Sequence, residues 1–239
     1  MTRTSTASTS LVDPLSLAMT LDNVNACLFH NTPIPIAQRL EAARWVAERL
    51  GGPRAYRGLY APTTADLARG FRVFTGEVFT HASARHIAGE EAARTLILLD
   101  APDPAVRETL DRVAVIIDAF ARVIPTQKLP QPDARGWYCC GKCTVAYWRY
   151  LRVSTLADAD DLLTQGIQQL KAHRLGNGTW RRFPFWYTLL ALLEIDSPEA
   201  LDELRYAASA SERTLRRPPR NDPYARRRYA IAERALARV

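Results

Sequence analysis

The sequence predicts an all-α protein of α/α-hairpin repeats, a bundle or partial toroid of about nine or ten helices. Three observations carry this. Gly136-Trp137-Tyr138 leads through Cys139-Cys140-Gly141-Lys142-Cys143 into Thr144-Val145-Ala146-Tyr147-Trp148, and Gly178-Thr179-Trp180 leads through Arg181-Arg182-Phe183-Pro184-Phe185 into Thr188-Leu189-Leu190-Ala191-Leu192. Each copy pairs a glycine–aromatic turn with a Thr-led apolar helix, at a period of about 42 residues, within the range of stacked helical hairpins. Ala, Leu and Arg, all strong helix formers, dominate a chain with only 11 Gly in 239 residues. Apolar positions recur at helical spacing throughout, and no convincing pair of strands stands out.

The elements follow in order. Pro35 suits a helix first turn; Ile36, Leu40, Ala43, Val46 and Leu50 continue its stripe, and Gly51-Gly52-Pro53 stops it. Tyr56 to Pro62 reads as a loop. Thr64 is expected to cap a helix running through Phe74 and ending near Gly76. A helix from about Ser83 to Leu99 follows, broken at Asp100-Ala101-Pro102. Asp103 as N-cap and Pro104 open the next, with Val106, Leu110, Val113, Ile117, Phe120 and Ile124 on one face. Residues 125–135 hold Pro125, Pro130 and Pro132 and are expected as a stiff loop. Helices near 143–152, 156–172, 185–195 and 198–209 come next, and Ser197-Pro198 marks a start. Pro223 opens a final helix through Ala237.

Hydrophobic residues at 47% and charged residues at 24% are values of a chain with a full core. Residues 1–10 are Ser/Thr-rich, the composition of a disordered tail, with no apolar run of a secretory signal. Residues 11–239 are expected as a single all-α domain, or as lobes 11–124 and 136–239 joined by 125–135. Asp22, Asn23 and Asn25 interrupt the apolar stretch near Leu15–Phe29, so no membrane span is expected. The expected compartment is the cytoplasm, where the four cysteines read as thiols or ligands. The net charge of +7 is uneven: residues 212–239 hold nine Arg against Glu212, Asp222 and Glu233, which leaves +1 for the rest.

The repeat resembles that of α/α toroids, the terpene and squalene cyclases and protein prenyltransferases, over residues 136–195. Gly178-Thr179-Trp180 and Thr188-Leu189-Leu190-Ala191-Leu192 carry the likeness. Asp158-Ala159-Asp160-Asp161 is similar to the Asp-x-Asp-Asp motif of class II cyclases. The resemblance implies a general acid at Asp160, kept neutral by its surroundings. Leu162-Leu163 stands where those enzymes have Thr-Ala, and the chain is too short for their two barrels. The alternative reading is a helix first turn, where acidic residues meet the positive dipole end.

Candidate sites remain. Cys140 and Cys143 form a Cys-x-x-Cys, and Cys27 with His30 a Cys-x-x-His; together they make a Cys/His set for zinc. Buried packing is the favoured reading of these cysteines, and no cofactor is expected. His86 and Glu90 share a helix face at i, i+4, as metal ligands, as a base and its orienter, or as a solvated first turn. Gly89 between them permits another element to approach closely. Trp137, Tyr138, Trp180 and Phe185, with Arg181 and Arg182, are the candidates for an aromatic, partly basic pocket; core filling is the plainer role of such aromatics. Arg220, Arg226, Arg227, Arg234 and Arg238 are the candidate polyanion surface, with no nucleic-acid motif beside them. The leading expectation is a helical-repeat protein that binds a small molecule or an acidic partner. The alternatives are an enzyme related to the toroid cyclases, using His86 and Glu90 or Asp160, and a metal-stabilised regulator; nucleic acid is the less favoured partner.

Overall fold

The computed structural model describes residues 10–128 and 135–239, with side chains up to 120 and from 135. The N-terminal tail up to residue 9, residues 129–134 and the side chain of Ile124 lie outside the described residues. The helices are α1 (Leu17–Phe29), α2 (Ile36–Ala47), α3 (Thr64–Arg69), α4 (His81–Leu99), α5 (Pro104–Lys128), α6 (Gly141–Leu151), α7 (Ala159–Leu170), α8 (Phe185–Glu194), α9 (Pro198–Leu215) and α10 (Pro223–Ala237). This is an all-α fold with repeat-like packing of consecutive helices.

Several starts are where capping chemistry puts them. The Ser197 hydroxyl accepts from Ala200 N–H, Asp222 accepts from Ala225 N–H at 2.7 Å, and Asp103 accepts from Ala105 and Val106 N–H. Thr63, one residue earlier than expected, caps α3 in a reciprocal box with Asp66. Buried Asp66 also accepts from Leu17 N–H at 2.9 Å and so fixes the start of α1.

Two expectations change. The helix expected through Phe74 ends at Arg69, because Gly70 at φ 83° turns the chain into a short antiparallel ladder, β1 (Phe71–Arg72) with β2 (Val78–Phe79). The apolar residues Phe71, Val73 and Phe74 had read as helix, but Gly70 and Gly76 supply the two positive-φ turns. The Pro-rich segment was expected to start at Pro125, yet α5 runs on to Lys128. A proline in the closing turns of a long helix forfeits one backbone hydrogen bond, and the helix continues past it.

Five helices run side by side in the same direction. Glu91 and Arg94 of α4 face Arg149 or Asn25 of α6 and α1, and Arg149 reaches Glu194 of α8. Arg238, the C-cap of α10, reaches the Leu193 carbonyl of α8. Arg227 pairs with Asp22 on α1 at 2.6 Å, and Arg234 donates to the Phe29 carbonyl at 2.8 Å, so α10 comes back to α1. Helices α1, α4, α6, α8 and α10 are therefore an inner set. Of the others, α2 and α5 pack on α4, α7 on α6, and α9 on α10, α8 and α7.

Sequence explains which helix goes where. From Cys143 to Leu151 every residue of α6 is buried, as an inner helix between two neighbours requires. The outer helices bury one stripe: Ala200, Leu204, Ala207 and Ala210 on α9, or Leu162, Leu163, Ile167 and Leu170 on α7. Each fully buried Leu contributes roughly 1.5–3 kcal/mol. Ala84, Ala88 and Ala92 thin one side of α4. Gly89 meets Leu59, where an added Cβ would lie 2.8 Å from the side chain.

Candidate functional site

The inner helices share one direction, so the molecule has an end where they start and an end where they finish. Thiol chemistry collects at the first and arginines at the second.

At the starting end, Cys140 is the N-cap of α6, and the turn before it is pinned by Tyr138 N–H donating to Thr144 Oγ1 at 3.0 Å. This brings Cys139 against His86 of α4, with Sγ 3.2 Å from Nδ1. One ligand atom each of His86, Cys139 and Cys143 lie within 4.8 Å of one another. The His86 ring is clamped by Tyr56, at 3.5 Å between centroids, and edge-on by Tyr138. One turn on, Glu90 is completely buried and neither carboxylate oxygen has a hydrogen-bond partner.

The electrostatics follow from this crowding. Burial, then Glu91 and Cys140, push the Glu90 carboxyl well above the ordinary carboxylate range. The Cys140 thiol is pulled far down by hydrogen bonds from Cys139 and Cys143, with Lys142 helping. Cys139 is pushed up to about 12 by its hydrogen bond to Cys140, and Cys143 is raised by Cys139 and Cys140 together.

At the finishing end, a cavity of about 500 Å³ opens between α1, α4, α6, α8 and α10. Leu28, Phe29, Phe74, Leu98, Leu190 and Leu193 give its apolar wall; Asn25, Arg94, Arg149, Glu194, Arg234 and Arg238 give its polar one. Beneath it lies a buried ionic network. Arg149 binds Glu91 and, at 2.8 Å, both oxygens of Glu194; the Tyr187 hydroxyl donates to Glu91. Arg94 reaches Glu194 at 2.7 Å and Asn25 at 2.8 Å, but its buried Nε–H has no acceptor. Burial works against ionisation of both guanidiniums. Glu194 and Glu91 more than offset this at Arg149, whereas at Arg94 Arg149 adds repulsion and the pKa is lowered. Arg94 is the less well balanced of two cations that share Glu194.

The sequence candidates are distributed as follows. His86, Glu90, Cys140 and Cys143 come together at the starting end. Cys27 and His30 sit at the finishing end of α1, with His30 exposed, and they do not join that group. Asp160 is exposed on the first turn of α7. Trp137, Tyr138 and Trp180 are buried; Phe185 is half-buried against Trp180, and Arg181 and Arg182 are exposed, and none of the six lines the cavity. The C-terminal arginines are largely occupied: Arg227 with Asp22, Arg228 with the Thr75 carbonyl, Arg234 with that of Phe29, Arg238 with that of Leu193. Sequence reasoning missed Cys139 as the thiol nearest His86, and missed Arg94 and Arg149 entirely. A charged residue within the otherwise apolar run Val145–Leu151 was the available signal for Arg149.

Compared with protein-family models, curated proteins and solved structures, the chain matches none. No helix among the described residues is long and apolar enough to cross a membrane.

Proposed function

We propose that the protein binds a small anionic molecule with an apolar body, carboxylate end inward, in the cavity at the finishing end of the inner helices. The observation that carries this reading is Arg94, a cavity-lining guanidinium whose buried Nε–H has no acceptor within the protein. An unmet buried donor is costly, and a guanidinium suits a carboxylate. Arg234 and Arg238 add positive charge at the rim, while Phe29, Phe74 and the leucines suit a hydrocarbon or aryl body. The volume lies in the range of small-molecule sites.

The test is thermal unfolding and calorimetric titration with octanoate, octanol and inorganic phosphate. Octanoate is expected to raise the melting temperature with concentration, as any ligand of the folded state must, and the other two to do much less. Arg234→Ala, at the rim, and Arg94→Met, at the base, are expected to weaken octanoate binding about tenfold or more. Equal binding of octanol, or unchanged affinity in folded Arg94→Met protein, rejects the reading.

A further inference from the structure

The starting end of the inner helices carries a second site, independent of the cavity. We infer that His86, Cys139 and Cys143 bind one zinc ion, with the buried Glu90 carboxylate one helical turn away as its counter-charge.

The geometry is the first argument. Tetrahedral zinc with thiolate and imidazole ligands holds its donor atoms about 3.5–3.8 Å apart. The three donor atoms here are already mutually within 4.8 Å, with His86 Nδ1 and Cys139 Sγ at 3.2 Å. Small side-chain adjustments accommodate the ion, and the backbone stays where it is. The donors come from two helices that pack directly on each other, α4 and the start of α6. The imidazole plane is fixed between Tyr56 and Tyr138. Preformed ligands of this kind lose little entropy on binding.

Glu90 is the second, independent argument. A carboxyl group that is 0% exposed, with both oxygens unpartnered, is rarely left in a packed interior without a reason. It follows His86 by one helical turn on the same face of α4. A cation between the thiols and this carboxylate compensates it.

The donor chemistry selects the metal. Two thiolates and an imidazole favour zinc over calcium or magnesium, which want oxygen ligands. On binding, both thiols and the carboxyl ionise and their protons pass to solvent. The centre then carries one net negative charge, beside Lys142. Cys139 and Cys140 are half-buried, which leaves the ion a path from the surface. Cys140 touches Cys139 and Cys143 through its thiol but is not among the mutually close donor atoms.

The experiment uses the full chain, reduced and stripped of metal, titrated with zinc against a chromophoric chelator. One zinc per chain is expected. Loading with cobalt instead should give the intense visible bands of a tetrahedral thiolate site, a readout that needs no variant. Cys139→Ala and His86→Ala should each weaken zinc binding at least a hundredfold, and Glu90→Gln about tenfold or more, while Cys27→Ser, His30→Ala and Cys140→Ser leave it within a few-fold. Circular dichroism establishes which variants fold, and Cys139, being half-buried, is the safest of the ligand changes. No zinc at micromolar concentration, or octahedral cobalt spectra, overturns the site. Loss of zinc with Cys140→Ser but not with Glu90→Gln overturns the assignment of Glu90.

Discussion

The two copies of the repeat hold the same shape by different means. In the first, Gly136 at φ 77° lies directly against α7. An added Cβ would meet the Leu162 carbonyl oxygen at 1.9 Å, and a Cβ on Gly166 would meet the Gly136 carbonyl at 2.5 Å. Two glycines let backbone touch backbone, and the tryptophans complete the lock: Trp148 donates to the Gly136 carbonyl at 2.7 Å, and Trp137 to that of Gly166 at 3.1 Å. In the second copy, Gly178 at φ 83° faces Ser209 and Ala210 of α9, and Trp180 donates to the buried carboxylate of Glu203 at 2.7 Å, itself paired with Arg174. One turn is held by close backbone approach, the other by a buried charge. The first seats both its indoles on backbone carbonyls, and its five residues after Tyr138 carry three cysteines; the second spends the equivalent stretch on Phe183 and Phe185 packing.

This contrast can be broken in several ways. The largest effect is expected from Gly136→Ala, which puts a methyl into a backbone carbonyl that cannot move away. It should cost at least about 4 kcal/mol in urea unfolding, or prevent folding. A loss under 1 kcal/mol would mean the turn does not sit on α7. Next comes Glu203→Gln, which strips the charge from Arg174 and weakens the bond from Trp180. About 3 kcal/mol is expected, with a shift of Trp fluorescence as the local readout. Gly178→Ala should cost about 2 kcal/mol, since the Ser209 hydroxyl it meets can rotate. Gly176, at φ 81° with nothing within 4 Å of its added Cβ, is the internal control, and alanine there should cost only about 1 kcal/mol of backbone strain. If all three glycines responded alike, contact with the outer helices would play no part.

The gentlest test uses pH. Glu194 of the second copy binds Arg149 of the first. Burial pushes its carboxyl up, but Arg149 and Arg94 prevail and its pKa falls below 4.5. A lowered carboxylate pKa gives stability that is present above the unfolded value and lost as pH falls through the folded one. Melting temperature should therefore decline below about pH 4.5, and Glu194→Gln should flatten that decline. An unchanged acid limb would show that this contact contributes nothing to coupling the copies.

Much of the fold was legible, and the reason is local. Ser197-Pro198, Asp103-Pro104 and Pro223 mark helix starts through backbone chemistry that needs no tertiary partner, and those helices begin where expected. The glycine–aromatic turn recurs in both copies, because positive φ and an indole donor impose the same local demands. The sites were less legible. His86 and Cys139 are 53 residues apart and meet only because α4 packs beside α6. Cys27-x-x-His30 offered a tidy spacing, but spacing within one helix says nothing about which end of the bundle it reaches. The C-terminal arginines looked like a surface for a polyanion. Two of them, Arg234 and Arg238, instead donate to helix-end carbonyls, a role visible only once α10 is placed beside α1 and α8.

That placement has a kinetic side. Asp22 and Arg227 are separated by 205 residues, so the contact that brings α10 to α1 spans nearly the whole described chain. Contacts of such range form late, after their loop entropy has been lost, and they slow folding. Until α10 docks, the flank of α1, the Phe29 and Leu193 carbonyls and the cavity wall they border stay open to water. The docking of α10 is therefore the closing step of the bundle, the one that covers an apolar groove otherwise open to aggregation and to proteases.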